Sequence, residues 1–313
     1  MLRLLQLFLW SCLFTCLIPS GVQAVSPISL CTPTGCEADG DKGVLSSDLQ
    51  PLCFKVGGVS FRLLPVQGGK FRMGAENNDF KANNDEKPVH TVRVSDFYLG
   101  ETEVTQALWG AVMGENHSYF EGENHPVEQV SWDECMLFLE RLSELTGYDF
   151  RLPTETEWEY AARGGQLSHG YSYAGGPEVQ TVAWYSASAQ FETQSVAQLQ
   201  PNELGLYDMS GNVAEWCSDW YGYYRRNLPD NPQGAAAGSK RVCRGGSWEQ
   251  LAISCRVTAR HAFYPSFQSP QVGLRLALSA TQNQTKRISP RRRIHKTATE
   301  GNVQAREPIA RTF

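Results

Sequence analysis

The chain predicts an α+β fold of short strands, few helices and long ordered loops. Three observations carry this expectation. Three segments with helix caps at both ends fall between Thr105 and Gly165, alternating apolar runs are brief, and beyond Gly165 turn residues dominate. In chain order, Val56 to Leu64 and Thr91 to Leu99 read as strands. Thr105 can cap a helix running to Met113, with Gly114 as its stop. Ser131 opens a capping box with Glu134, and Cys135, Phe138, Leu139, Leu142 and Leu145 follow at helical spacing as far as Gly147. On that stripe Cys135 reads as a small buried hydrophobe. Thr154 and Glu157 form a second capping box behind Pro153, and this helix should end near Arg163, before Gly164-Gly165. The loops beyond need more than a core to hold them, since ordering each residue costs about 1–2 kcal/mol. A bound ion is one answer.

The ends differ from the middle. Residues 1–24 combine Arg3, an apolar stretch from Leu4 to Ile18 and the small-residue ending Val22-Gln23-Ala24, the pattern of a secretory signal peptide. The apolar stretch falls short of a spanning helix. Lipidation at Cys16 is disfavoured because Thr15 stands where a smaller residue is usual. The expected location is therefore exported, periplasmic or secreted. A Cys-containing leader (residues 25–54), one domain (55–280) and a basic disordered tail (281–313) follow. The tail has eight Lys/Arg against Glu300 and Glu307, while residues 25–280 carry a net charge of −12. An acidic exported domain makes nucleic acid an unexpected partner, and Arg291 to Arg293 read as solvated. Seven cysteines remain after the signal, an odd number. Cys31, Cys36 and Cys53 are placed for a local bridge in an oxidising compartment.

Four blocks give a sharper reading: RLPTETEWEYAARGG (Arg151 to Gly165), GLYDMSGNVAE (Gly205 to Glu215), CRGGSW (Cys243 to Trp248) and VGLRL (Val272 to Leu276). In this order they resemble the sulfatase-modifying-factor, or formylglycine-generating enzyme, family. GGKFRMG, ETEVTQALW and HPVEQVSW fall at family positions too, so the resemblance spans roughly Phe61 to Leu278. It implies an irregular fold related to C-type lectins. It also implies a structural calcium ion at the segment from Asp208 to Glu215, held by the Asp208 side chain, the carbonyls of Gly211 and Val213, and the Glu215 carboxylate. A hard cation wants several oxygens at about 2.3–2.6 Å, and positions 211, 213 and 215 can turn groups toward one point. The other reading is that Asp208 and Glu215 make hydrogen bonds or salt bridges within a turn. The family's second calcium loop would fall between Trp184 and Pro201, where the chain is short and lacks the acidic segment; no ion is expected there.

The departure lies in cysteine. The oxidising members carry two cysteines after the GGS turn, four residues apart, which bind Cu(I); soft thiolates are what that ion demands. After Gly245-Gly246-Ser247 this chain has only Cys255 before Gly273. Anchoring on Arg260, Pro265 and Gly273 leaves the segment from Ser247 to Arg260 three residues shorter than in copper enzymes, so Cys255 aligns beyond both catalytic positions. Copper is not expected. Cys243 and Cys255 remain weak catalytic candidates, against a structural disulfide, with or without Cys217, or two unpaired buried thiols. His261, the one histidine near the reaction region, is a third weak candidate, and a satisfied surface or groove histidine is the competing reading. The six histidines show no metal-binding spacing, and Ser247 has no GxSxG elbow. Ala214 replaces the family's usual tryptophan and is expected to reshape the surface near the groove. The run Trp216, Trp220, Tyr221, Tyr223 and Tyr224 offers sugar or peptide contacts, with core packing accounting for about half of it.

The leading functional expectation is an exported, calcium-stabilised family member without the copper centre, binding a protein or glycan partner in its groove. Formylglycine-generating oxidase activity, another oxidation in the same groove, and an envelope or secretion assembly role are the alternatives.

Overall fold

A computed structural model describes residues 49–281 except Asn227. The expected signal segment, most of the leader and the tail lie outside the described residues, as do Cys31 and Cys36.

The first expected strand is two. β1 (Leu52–Val56) and β2 (Val59–Val66) pair antiparallel with Val56 opposite Val59. Gly57 and Gly58 between them have φ of 56° and 87°, the left-handed pair that a two-residue hairpin turn needs. β1 also crosses the expected boundary at residue 54. β3 (Gly69–Met73) pairs with β4 (His90–Val94), and after a break at Ser95-Asp96 the chain enters β5 (Phe97–Gly100). The second expected strand therefore serves two sheets. β5 lies between β2 and the last strand, β10 (Ala277–Ser279), in a four-stranded antiparallel sheet.

The helices fall where the caps place them. α1 (Gln106–Met113) starts at Thr105, whose Oγ1 accepts from the Leu108 N–H, and stops at Gly114 with φ 87°. α2 (Trp132–Thr146) and α3 (Glu155–Ala162) each begin with a complete capping box, on Ser131/Glu134 and Thr154/Glu157. On α2, Cys135, Phe138, Leu139 and Leu142 are buried, but Leu145 is exposed and Thr146 is buried. At about 100° per residue position 146 continues the centre of the stripe and 145 falls at its edge. A four-residue α4 (Val179–Val182) follows.

Residues 183–213 contain no strand, as the turn-rich composition predicts. The chain then enters β6 (Ala214–Trp220), the centre of a second four-stranded sheet in the order β8 (His261–Phe263), β7 (Arg241–Arg244), β6, β9 (Val272–Gly273). β6 runs antiparallel to β7 and parallel to β9. The apolar core lies in two clusters. One joins the first sheet to α1, α2 and Trp216, and the other centres on Trp158, Tyr160, Phe97 and Leu99. Among the described residues no helix is long and apolar enough to cross a membrane.

Candidate functional site

The turn that leads into β6 ties distant loops together. Asp208 and Asn212 occupy left-handed backbone at φ 57° and 56°, and Gly211 at φ 83° packs so tightly that an added Cβ would fall 2.2 Å from the Trp184 carbonyl oxygen. Its N–H donates to the Gly245 carbonyl at 2.8 Å, while the Asn212 N–H donates to the Trp184 carbonyl and the Asn212 carbonyl accepts from the Trp248 N–H. The Ser210 hydroxyl donates to the Cys255 carbonyl at 2.8 Å. These bonds bring the GGS turn, Trp184 and Cys255 around one short segment.

Beneath it lies a buried charge cluster. The Glu215 carboxylate accepts from Arg275 Nε at 2.9 and 3.0 Å, from Arg275 Nη2 at 2.7 Å and from Trp158 Nε1 at 2.6 Å. A carboxylate has about four lone-pair sites, so protein donors fill Glu215. Glu103 accepts from the Val213 N–H and from Asn212 Nδ2. Burial above all, with the charges of Asp208 and Glu215, pushes the Glu103 carboxyl well above the usual range. Burial likewise raises Asp208 to about 6, against the pull of the Ala197 N–H and Arg275 and with a push from Glu215. Asp208 Oδ2 takes the Ala197 N–H at 2.8 Å, and its other oxygen accepts no hydrogen bond among the described residues. Three buried carboxylates thus share one guanidinium.

Of the four expected calcium-binding residues, Asp208, Gly211, Val213 and Glu215 do gather in this turn and the start of β6. The side-chain part of the donor set fits only in part: Asp208 has an oxygen to give, whereas Glu215 is engaged by Arg275. The salt bridge does not close within the turn, as the alternative reading had it, but reaches across to the segment after β9.

Cys135 and Cys243 share one core cluster, Cys217 lies in the other, and Cys255 lies in neither. Cys135, Cys217, Cys243 and Cys255 are free and fully buried, so of the two structural readings for Cys243 and Cys255 the structure has the unpaired buried thiols. Cys243 lies on β7 opposite Trp216 and His261 and packs in the core cluster that also holds Cys135. Cys255 sits instead in a 3-10 turn (Ala252–Cys255) against Gly246, where an added Cβ would meet its Sγ at 2.8 Å. Burial pushes the Cys243 thiol well above its ordinary value and Cys255 to about 12. Neither is poised to become the thiolate that nucleophilic or copper chemistry needs. His261 is half-buried, its Nε2 is 3.5 Å from the Ser254 carbonyl oxygen, and burial lowers its pKa. Ser247 is fully buried, with its Oγ 3.3 Å from Gln271 Oε1. Ala214 also lies in the core, so it offers no surface of its own to a groove. In the aromatic run Trp216 is buried, Tyr223 is 83 % exposed, and Trp220, Tyr221 and Tyr224 are intermediate.

A second buried network escaped the sequence reading. Arg244 pairs with Glu155 and Glu159, Arg163 with Glu159, Arg260 with Glu155, and Arg256 with Glu86. Burial opposes the charge of Glu86 and Glu159, yet Arg256 holds the first below its usual range and Arg163 and Arg244 the second. Part of the signal was present inside the blocks and part beside them: charged residues in TETEWEY, CRGG and the nearby TARH are too many for an apolar core to accept unpaired.

The exposed side of the GGS region is apolar. Tyr119 packs edge-on to Phe120 and Phe120 edge-on to Trp248, while Leu251 and Ile253 are exposed on the next turn. The Ser186 N–H donates to the Gln250 carbonyl and the Val196 N–H to the Asn124 carbonyl, placing the loop that carries Phe191 alongside. Phe191 is 83 % exposed on strained backbone, since both Gln190 and Phe191 have positive φ.

An irregular α+β scaffold of short strands, few helices and long ordered loops, pinned by this turn, defines a class of protein with the formylglycine-generating fold. Residues 61–280 match the family model described as sulfatase-modifying factor enzyme 1-like domain, and the chain belongs to that family. It is 32 % identical over 271 residues to the chaperone protein LppX of Paenibacillus barcinonensis, covering 71 % of this chain and 90 % of that one. It is 30 % identical over 287 residues to the formylglycine-generating enzyme of Streptomyces coelicolor, covering 69 % and 88 %. Among solved structures, Treponema denticola variable protein 1 superposes with a TM-score of 0.68 at 33 % identity, covering 73 % of this chain and 99 % of that one.

Proposed function

We propose that this chain is a non-oxidase member of the family, an exported binding or accessory domain that engages a protein or glycan partner on the apolar face around Trp248. The observation that carries the reading is the state of the thiols: Cys255 is buried, raised to about 12 and lies outside the core cluster that holds Cys243. A two-sulfur Cu(I) site needs both sulfurs at one point and deprotonated. Support for a partner comes from the exposed Phe191, Leu251, Ile253 and Tyr119, and from the name of a 32 % identical relative, a chaperone protein. Strained backbone that holds an aromatic ring in solvent is a cost of about 1–3 kcal/mol that packing alone does not explain.

Calcium belongs to the proposal as a structural ion at Asp208 and the carbonyls of Gly211 and Val213. Burial holds protons on Glu103 and Asp208 in this cluster, and a divalent cation at Asp208 would take the place of the proton there. Glu215 then acts through Arg275, fixing the strand on which the turn rests.

The decisive test incubates the purified full chain with Cu(I), oxygen and a cysteine-containing sulfatase peptide. No formylglycine should form and copper should not bind stoichiometrically. Turnover with stoichiometric copper would overturn the non-oxidase reading.

A further inference from the structure

The apolar face around Trp248 is assembled from three segments, residues 114–130, 183–200 and 245–255. Contacts between them fix their mutual placement. Phe120 meets Trp248 edge-on with ring centroids 5.1 Å apart, His125 Nδ1 is 3.0 Å from Thr193 Oγ1, and the Ser186 N–H donates to the Gln250 carbonyl at 3.0 Å. None of the three segments contains a lysine or an arginine. Each of them carries acid at the face: Glu121 directly follows Phe120, Glu192 follows Phe191 and Glu249 follows Trp248, and all three are exposed. Consecutive Cα atoms lie about 3.8 Å apart. Whichever way these side chains point, their charges therefore fall within about a Debye length, roughly 8 Å at physiological salt, of the apolar groups beside them.

Elsewhere on the domain surface acids have basic neighbours, as Glu101 has Arg62 and Glu76 has Arg72. Among the described residues Glu121, Glu192 and Glu249 form no such pair; Glu249 accepts from the Gln271 amide instead. The face thus combines exposed apolar side chains with charge of one sign. That combination narrows the partner. Nucleic acid, acidic glycans and anionic membranes would be repelled. A second copy of this chain in an isologous contact would set the same carboxylates against each other. The apolar groups themselves are mixed, aliphatic at Leu251 and Ile253 and aromatic at Tyr119 and Phe191. Branched aliphatic groups pack against other apolar side chains, which a polypeptide supplies and a neutral sugar does not.

We propose that the partner of this face is a basic polypeptide segment of another protein. Its apolar side chains pack on Phe191, Leu251 and Ile253 while its lysines or arginines meet the field of Glu121, Glu192 and Glu249. The inference rests on the partner reading of this face and narrows it to one chemistry. Lysine and arginine suit such a surface twice over, because their aliphatic stems lie along apolar groups while the charged heads reach the acids around them. Charges at the rim act on encounter rate and choice of partner, so the attraction should weaken with salt.

Selection of a random peptide library on the full chain, followed by affinity measurements on the selected peptides, tests it. The peptides should be rich in lysine or arginine, with leucine, isoleucine or aromatic residues between them, and poor in aspartate and glutamate. Exposed ion pairs are each worth up to about fivefold in affinity, so the double variant Glu192→Gln with Glu249→Gln should weaken these peptides roughly fivefold. The same variant should leave unchanged the affinity of versions with glutamine in place of each base. Leu251→Ser should weaken both versions. All three positions are exposed, and an unchanged Tm shows that the variants fold. Neutral or acidic peptides that lose affinity with Leu251→Ser would overturn the charge inference and leave the face as a partner site. Basic peptides indifferent to all three substitutions, or no selected peptide at all, would overturn the inference and remove its support from the face. A carbodiimide cross-link in the free chain from Lys286 or Lys296 to Glu192 or Glu249 would give the face to the chain's own basic tail, overturning the assignment to another protein.

Discussion

Arg275 joins three separate parts of the chain. Its guanidinium donates to Glu215, to the Gly100 carbonyl and to the Tyr207 carbonyl, joining β6, the end of β5 and the Asp208 turn. Replacing it removes the one cation bonded to Glu215 among the described residues and leaves a fully buried carboxylate. Arg275→Met should therefore cost about 3–5 kcal/mol in urea unfolding, and pairing it with Glu215→Gln should recover part of that loss. A cost below about 1 kcal/mol would show that water reaches the cluster. Cys255 offers the opposite case, a buried group with little at stake. As a free thiol it closes no loop, so Cys255→Ala should cost about 1 kcal/mol, the ordinary value for a single buried change, rather than the roughly 2–5 kcal/mol of a lost disulfide.

At the scale of elements, the helices owe their ends to capping. Ser131 and Thr154 each accept the N3 N–H while the glutamate three residues on returns the bond. Ser131→Ala and Thr154→Ala should each lower stability by about 1 kcal/mol, measured as a shift in urea midpoint at constant m. These elements were legible in the sequence because their signals are local: a hydroxyl, an acid three residues later, a stripe, a glycine. The strands were less so. Gly57-Gly58 is a hairpin signal that an apolar run from Val56 to Leu64 obscured, and the break at Ser95-Asp96 shows itself only in which sheet each half joins. The candidate site divides the same way. Asp208, Gly211, Val213 and Glu215 could be placed from their block, but the partner of Glu215 lies 60 residues on, and nothing local at VGLRL says which carboxylate Arg275 will meet. Glu103 was missed for that reason as well: it reaches Val213 across 110 residues.

Over the whole molecule the buried acids set a pH dependence, and it tests the proposed calcium site. Burial is the main cause that raises Asp208 to about 6, and Glu128 and Asp219 to about 7. Unfolded, such groups titrate near 4, so between pH 4 and 7 the folded chain holds the protons more tightly. The stability they contribute is fully present below about pH 4 and lost as pH rises through 6 to 7. Glu86 and Glu159 run the other way, contributing above about pH 4 and losing it as pH falls through their lowered values. Without calcium, unfolding free energy should thus be higher at pH 5 than at pH 8, and Asp219→Asn should narrow the difference. The proposed ion at Asp208 would change the balance, because it would compete with the proton on that carboxylate. Binding only the folded chain, it stabilises by RT ln(1 + [L]/Kd), about 2.7 kcal/mol at a hundredfold excess over Kd. The calcium-dependent rise in Tm should consequently be larger at pH 7.5 than at pH 5, and Asp208→Asn should remove it at both. A chelator that leaves Tm unchanged at pH 7.5 would show that Arg275 alone balances this cluster, and a rise independent of pH would place the ion away from Asp208.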